Sequence, residues 1–234
     1  MRTDKPIFKS IAAVKNRLLS GERRSRRVPV GLYRNIILDL DLKSQSQVYF
    51  GLWERETHKI IRRVATKADW LIDVGAGRGE LCLYFLIHRP LAQIVAIEPN
   101  ASEVTALGKN LQLNSFSSKE VRVFQKFASA TRGSEYMRLD EVEVNRNRPG
   151  FVKIDVDGAE LDVLESGSNL LTGGKLDILI ETHSASLEES CIHWLSNHHF
   201  VCRVIKNAWW RFAVPETRPI AHNRWVWAHS LGAQ

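Results

Sequence analysis

The chain has 234 residues, with 33 lysines and arginines against 26 aspartates and glutamates, 44% hydrophobic residues and 25% charged ones. That length suits one α/β domain with a short extension, and not comfortably two domains. Ordinary apolar content excludes a disordered or fibrous chain, and no apolar run approaches the ~20 residues of a membrane span.

The net charge of +7 is concentrated. Residues 1–34 hold ten basic residues against Asp4 and Glu22, and the rest of the chain carries 23 basic and 24 acidic ones. The basicity therefore belongs to an N-terminal arm, and the body offers no bulk charge for a nucleic-acid groove. An arm over residues 1–34 followed by a catalytic domain over 35–234 is the expected division. Cys82, Cys191 and Cys202 are scattered without a CxxC spacing, as free thiols of a reducing compartment would be. With no secretory signal in view, a cytoplasmic protein is expected.

In chain order, Ile7, Phe8, Ile11, Val14, Leu18 and Leu19 lie near helical spacing. A basic linker, Gly21–Arg27, follows and ends near Pro29. It is read as a solvated charge run, with an anionic surface, carrier or RNA as the competing partner. A helix is predicted over Glu54–Ala65, with Ile60, Ile61 and Val64 inward. Buried strands are predicted at Trp70–Val74, Gln93–Glu98, Val121–Gln125, Phe151–Asp155 and Leu176–Glu181, each a short, nearly continuous apolar run. Helices are predicted between them at Glu80–His88, Ser102–Leu113 and Ala159–Glu165, then at Ser186–Asn197. The stretch Phe127–Gly150 reads as polar loop with a short element around Tyr136–Val144. Phe200–Ile205 and Arg224–Ala228 close the chain as strands able to pair antiparallel. Alternating strands and helices with continuous apolar strands imply a mostly parallel seven-stranded sheet covered by helices on both faces, with an antiparallel C-terminal edge.

The sharpest motif is Asp73-Val74-Gly75-Ala76-Gly77-Arg78-Gly79-Glu80, where a buried strand ends in an acid and a glycine-rich turn opens a helix. Glycines let the backbone bend tightly and a ligand approach without a Cβ in the way. The dinucleotide fingerprint wants its third glycine five positions after the first, whereas position 80 is glutamate, which faces a pyrophosphate badly. S-adenosylmethionine has no phosphate; its ammonium and sulfonium suit an acidic setting, and Asp73 can reach the ammonium. Glu98, 21 residues beyond Gly77, closes the next strand before Pro99, where an acid accepts hydrogen bonds from both ribose hydroxyls. Asp73, Gly75, Ala76, Gly77, Gly79, Glu98 and Pro99 thus form the candidate cofactor site.

A third cluster is Lys153-Ile154-Asp155-Val156-Asp157-Gly158-Ala159-Glu160. A charge inside an apolar strand is expensive unless it is used, and the strand period of two puts Lys153 and Asp155 on one side near the carboxyl end, where α/β sheets bind ligands. The alternative is an ion pair that only fixes the loop.

These strings resemble the FkbM family of S-adenosylmethionine-dependent methyltransferases. Gly51-Leu52-Trp53-Glu54, Ile72–Gly79, Ala96-Ile97-Glu98-Pro99, Leu139-Asp140, Val152–Glu160 and Glu181-Thr182-His183 stand where the family has its aromatic-Glu segment, glycine loop, strand-end acid, LD pair, KiDvEGaE string and final acid. Gly77 replaces the family's usual Asn, and Asp157 its usual Glu. The basic arm lies outside the pattern. The resemblance, which covers about residues 50–185, implies a Rossmann-like class I fold and O-methylation of a hydroxyl, commonly on a sugar or secondary metabolite.

A hydroxyl becomes a useful nucleophile when a base near neutral pKa takes its proton. Asp155 and His183 are the candidates, with Lys153 and Glu181 completing the catalytic set. No metal-ligand set is assigned, because the spacing matches no known one. Asp155, Asp157, Glu160, Glu181 and His183 can alternatively gather round a divalent ion. Trp225 and Trp227 alternate on one strand face and are read as packing, while Trp209–Phe212 is a candidate substrate wall. Competing readings are a methyltransferase acting on RNA or a protein carrier gripped by the arm, and an inactive cofactor-binding partner subunit.

Overall fold

The structure is a computed structural model that describes residues 21–208 and 222–230. The predicted N-terminal helix and the Trp209–Phe212 wall lie outside the described residues. Strands are β1 (Arg24–Arg27), β2 (Ile37–Leu40), β3 (Trp70–Val74), β4 (Gln93–Ile97), β5 (Arg122–Phe124), β6 (Phe127–Ala128), β7 (Tyr136–Met137), β8 (Gly150–Ile154), β9 (Leu176–Thr182), β10 (Phe200–Ile205) and β11 (Arg224–Ser230). Helices are α1 (Leu42–Tyr49), α2 (His58–Ala65), α3 (Glu80–His88), α4 (Ala101–Leu113), α5 (Glu160–Ser166), α6 (Ser168–Leu171) and α7 (Ala185–Asn197).

The main sheet has the order β10-β11-β9-β8-β3-β4-β5. Strands β5, β4, β3, β8 and β9 pair in parallel, and β11 inserts between β9 and β10, antiparallel to both. The C-terminal pair is thus an antiparallel hairpin with its second strand turned inward. Winding runs outward from β3 through β4 to β5, then resumes on the other side with β8. This reversal opens a crevice at the carboxyl end of β3, the usual place for a ligand in open α/β sheets.

Each face of the sheet carries its own apolar layer. On one face Leu71, Phe151, Leu179, Trp225 and Trp227 meet α3, α4 and the N-terminal segment. On the other, Ile72, Val74, Val152, Ile154, Ile178 and Ile180 meet α5 and α7. The alternation within each strand explains the unbroken apolar runs: both faces are buried, so no position is left for polar residues. Trp225 and Trp227 fall in one layer, as packing of that face requires.

The N-terminal part departs from expectation. Arg24–Arg27, predicted in a linker, forms β1 and pairs antiparallel with β2. Val28, Leu32, Tyr33, Ile36, Leu38 and Leu40 are buried in the first apolar layer, so the core continues across the boundary expected at residue 34. Two asparagines fasten this hairpin to α4. Asn114 accepts from the Ile37 amide at 2.9 Å and donates to the Ile37 carbonyl at 2.7 Å, and Asn110 accepts from the Asp39 amide at 2.9 Å. The crossing of Gly31 and Gly51 is equally tight: a Cβ on Gly31 would lie 2.5 Å from the Gly51 Cα, and both have positive φ.

The helix expected to begin at Glu54 begins at His58. Glu54 has φ +47, a left-handed conformation that ends helical propagation and is costly for a residue with a Cβ.

Candidate functional site

Two cavities flank the turn after β3. The first, about 420 Å³, is lined on its sheet side by Asp73, Gly75, Ala76, Gly77, Glu80, Lys153 and Asp155 and roofed by Tyr33, Gln45, Val48, Trp53 and Glu54. The second, about 550 Å³, is bounded by Gly75, Glu98, Pro99, Asn100, Phe127, Asp155, Asp157 and Ala159. Gly75, Glu103 and Asp155 border both.

The turn owes its shape to backbone contacts. The Gly75 and Ala76 amides donate to the Ile97 carbonyl, at 2.9 and 3.2 Å, and the Asp155 amide donates to the Val74 carbonyl at 2.9 Å. At Gly75, φ is +76 and a Cβ would come within 1.9 Å of the Asp155 carbonyl oxygen, so only glycine lets β8 pass this close. A Cβ at Gly77 would meet nothing within 4 Å; its backbone faces open space. Gly79 borders neither cavity, takes a left-handed φ at the start of α3 and packs on Leu107.

Glu98 is buried and accepts from the Gly77 amide at 2.8 Å and the Asn100 amide at 2.9 Å. These two bonds fix the carboxylate at the mouth of the second cavity, with lone pairs left for the hydroxyls of a ribose. Asp73 is 1% exposed; its Oδ2 receives only the weak Cys82 thiol contact at 3.7 Å, and its Oδ1 has no partner. Burial pushes its carboxyl up to about 7, and an unsatisfied carboxylate facing a cavity is a ready partner for an ammonium group.

Lys153 stands between acids. Its Nζ lies 3.1 Å from Asp155 Oδ2 and 3.4 Å from Glu54 Oε1, with the Trp225 ring 5.3 Å away. Burial opposes its charge, but Asp155, Glu54 and Asp73 outweigh it and hold the ammonium well above its usual range. Burial likewise pushes Asp155 up, and Lys153 reverses this, leaving Asp155 below the usual carboxylate value. Glu54 rises to about 7, chiefly from burial.

Glu181 and His183 lie one strand further on. The parallel register pairs Ile154 with Ile180, which brings Asp155 beside Glu181. Burial, and then the charge of Asp155, push Glu181 up to about 10, so that Glu181 is the protonated partner of the two. His183 Nδ1 makes a short contact with Glu160 Oε1, which raises its pKa; Nε2 has no hydrogen-bond partner and stands 3.5 Å from Asp157 Oδ1. Neither Glu181 nor His183 borders the two cavities, but one ligand atom from each lies within 4.8 Å of one from Asp155.

The four predicted catalytic residues thus gather at the carboxyl ends of β8 and β9. Sequence reasoning assigned no role to Glu54, Tyr33 or α1. The first had a signal, the aromatic-Glu pair Trp53-Glu54, read only as part of a family pattern. The other two come from a hairpin and helix whose mixed apolar and basic residues carry no strong periodicity.

Residues 106–209 match the model of the methyltransferase FkbM domain. No curated protein matches the chain by sequence. Among solved structures, the chain is similar to a precorrin-6y C5,15-methyltransferase from Geobacter metallireducens GS-15 (15% identity, 75% of this chain and 88% of that one, TM-score 0.50). It is also similar to an S-adenosylmethionine-dependent O-methyltransferase from Thermotoga maritima (15% identity, 76% and 65%, TM-score 0.53). A geranyl diphosphate C-methyltransferase from Streptomyces coelicolor A3(2) is covered almost end to end (12% identity, 97% and 99%, TM-score 0.51). At such identities the likeness is one of fold, while the match over residues 106–209 is one of sequence. Residues 106–209 are thus similar to the FkbM methyltransferase domain, and this match together with the fold makes the chain an S-adenosylmethionine-dependent methyltransferase.

Proposed function

We propose that this methyltransferase acts on a hydroxyl of a sugar, glycan or secondary metabolite. The observation that carries this reading is the position of Asp155, which borders both the crevice beside Glu98 and the cavity beneath Tyr33 and Glu54. The orphaned Asp73 Oδ1 and the open face of Gly77 fit the amino-acid end of the cofactor. Glu98 and Pro99 fit its ribose, and Gly75, Ala76 and Gly79 shape the turn between them.

When bound, the cofactor supplies an electrophilic methyl group on a sulfonium. The acceptor hydroxyl loses its proton as the O–C bond forms and the S–C bond breaks, leaving the methyl ether and S-adenosylhomocysteine. Asp155, kept ionised by Lys153, and His183, with Nδ1 occupied by Glu160 and Nε2 unpartnered, are the proton acceptors of this reading. Glu181 positions Asp155. In an in-line displacement much of the rate comes from alignment, which the roof residues serve by closing over the acceptor.

A second reading, a macromolecular acceptor gripped by the arm, draws on the exposed arginines of β1, Arg24 and Arg27. It predicts acceptor binding that weakens steeply with salt. Among the described residues no helix is long and apolar enough to cross a membrane; that and the free Cys82, Cys191 and Cys202 support a cytoplasmic setting.

The test is calorimetric titration with S-adenosylhomocysteine, with NAD as control. Asp73→Ala is expected to weaken binding by about 10-fold or more, the worth of one charge-assisted hydrogen bond. Unchanged affinity would remove Asp73 from the cofactor site. With a hydroxyl acceptor found by screening, Asp155→Asn should lower kcat by about 10²–10⁴-fold while changing S-adenosylhomocysteine affinity far less. Turnover close to that of the wild type would exclude Asp155 as base.

A further inference from the structure

Asp155, Glu181 and His183 share more than proximity. Asp155 follows β8, Glu181 is the penultimate residue of β9, and His183 follows β9 directly. The period of two puts Glu181 and His183 on one side of their strand, and the β8–β9 register brings Asp155 alongside. One oxygen or nitrogen from each falls within 4.8 Å of the others. Ligand atoms around a single ion at ~2.0–2.6 Å are separated by comparable distances.

The imidazole provides a second, independent observation. Its side chain is 9% exposed and its Nδ1 is held by Glu160, a carboxylate with no exposure at all. That contact fixes the ring orientation and leaves Nε2 buried without a hydrogen-bond partner. A carboxylate behind one ring nitrogen, with the other nitrogen left vacant, is how histidines are oriented toward metals. Charge points the same way. Glu54, Asp73 and Glu181 are buried, and Asp155 half-buried, around one buried cation, Lys153, a carboxyl-rich setting that a bound cation would satisfy.

We propose that Asp155, Glu181 and His183 bind one divalent cation of the Mg²⁺/Mn²⁺ class. Two carboxylates and one imidazole form a mainly oxygen donor set suited to such ions, with positions left open for other ligands. Asp157, whose Oδ1 stands 3.5 Å from His183 Nε2, is a fourth carboxylate at the rim. Because Asp155 borders both cavities, the ion would sit at the acceptor end of the crevice. There it would hold the acceptor hydroxyl and acidify it; with the ion bound, Asp155 and His183 serve as ligands in place of the proton-accepting role given them above, and the proton passes to solvent. That role rests on the hydroxyl reading above; the site itself does not.

The test uses the full chain, stripped of metal and saturated with S-adenosylhomocysteine, titrated with Mn²⁺ and followed by the electron paramagnetic resonance of the free ion. One Mn²⁺ per chain is expected. Glu181→Gln should weaken it at least about 10-fold, and Glu160→Gln, which leaves all three ligands in place, by about 10–100-fold. S-adenosylhomocysteine affinity within twofold of wild type shows each variant to be folded. A wild-type chain that takes up no Mn²⁺ at millimolar concentration overturns the site, as does uptake indifferent to both substitutions. A second measurement needs no variant for its readout: in the wild-type chain Mn²⁺ should broaden the imidazole resonances of His183 before those of the other seven histidines. Broadening led by another histidine also overturns it. Stoichiometric Mn²⁺ in an enzyme whose acceptor proves not to be a hydroxyl would sink the hydroxyl reading and leave the site. Hydroxyl methylation by a chain that binds no Mn²⁺ would sink the site alone.

Discussion

Asp73 illustrates how a residue suited to its ligand can weaken the fold that carries it. It is 1% exposed with one oxygen unpartnered, and burial raises its pKa to about 7. A carboxyl raised in the folded state keeps a proton that the unfolded chain releases near pH 4. Its stabilising contribution is therefore complete below pH ~4, declines as pH rises toward 7, and is gone above it. In Asp73→Asn that decline is absent. Without cofactor, the variant should match the wild type near pH 4 and exceed it at pH 7.5, by on the order of a few kcal/mol. Urea denaturation across this range measures the difference, and parallel curves would show Asp73 to be ionised at no cost. The position of this acid was legible because an aspartate closing an apolar strand before three glycines has few uses. Lys153 and Asp155 were legible for the same reason, as charges inside an apolar run. Glu54 was not: its backbone turns left-handed and its carboxylate meets Lys153, about a hundred residues away in sequence, while the surrounding letters look like the start of a helix.

At the scale of elements, the buried strands and the helices between them were read nearly to the residue, since a strand covered on both faces must be apolar throughout. β1, β2 and α1 escaped because their pairing depends on partners distant in sequence. Asp39 is bound to Asn110 and Ile37 to Asn114, more than seventy residues away. Those asparagines lie on α4 and look like ordinary polar helix positions. Asn114→Ala removes both bonds to Ile37 and leaves an amide and a carbonyl of β2 without their partner, a loss of about 1–3 kcal/mol. The hairpin carries Tyr33 between its strands and leads into α1, and both roof the first cavity. The expected result is lower chemical stability, with KM for the acceptor raised more than the affinity for S-adenosylhomocysteine is lowered. Equal effects on both ligands would mean that the hairpin supports the whole crevice rather than its roof.

At the scale of the molecule, the question is whether the segment before residue 35 is an appendage or part of the domain. Composition argued for an appendage, since ten basic residues in 34 dominate any average. Within that stretch, however, Val28, Leu32 and Tyr33 are 0%, 4% and 6% exposed and belong to the same apolar layer as Leu71, Phe85 and Phe151. A chain beginning at residue 35 would lose three buried apolar side chains worth roughly 1.5–3 kcal/mol each. It would also leave β2 without β1 and uncover Leu38 and Leu40. The sum is comparable to the 5–15 kcal/mol that holds a typical domain together. Such a truncation should bind a hydrophobic dye, lose its cooperative thermal transition and fail to bind S-adenosylhomocysteine, although it retains every residue assigned to the cofactor. A truncation that melts cooperatively near the wild-type temperature and keeps its ligand would return the N-terminal hairpin to the status of an arm. Loss of folding would make the roof of the acceptor cavity and the edge of the core one structure, so that acceptor choice and stability could not be altered independently there.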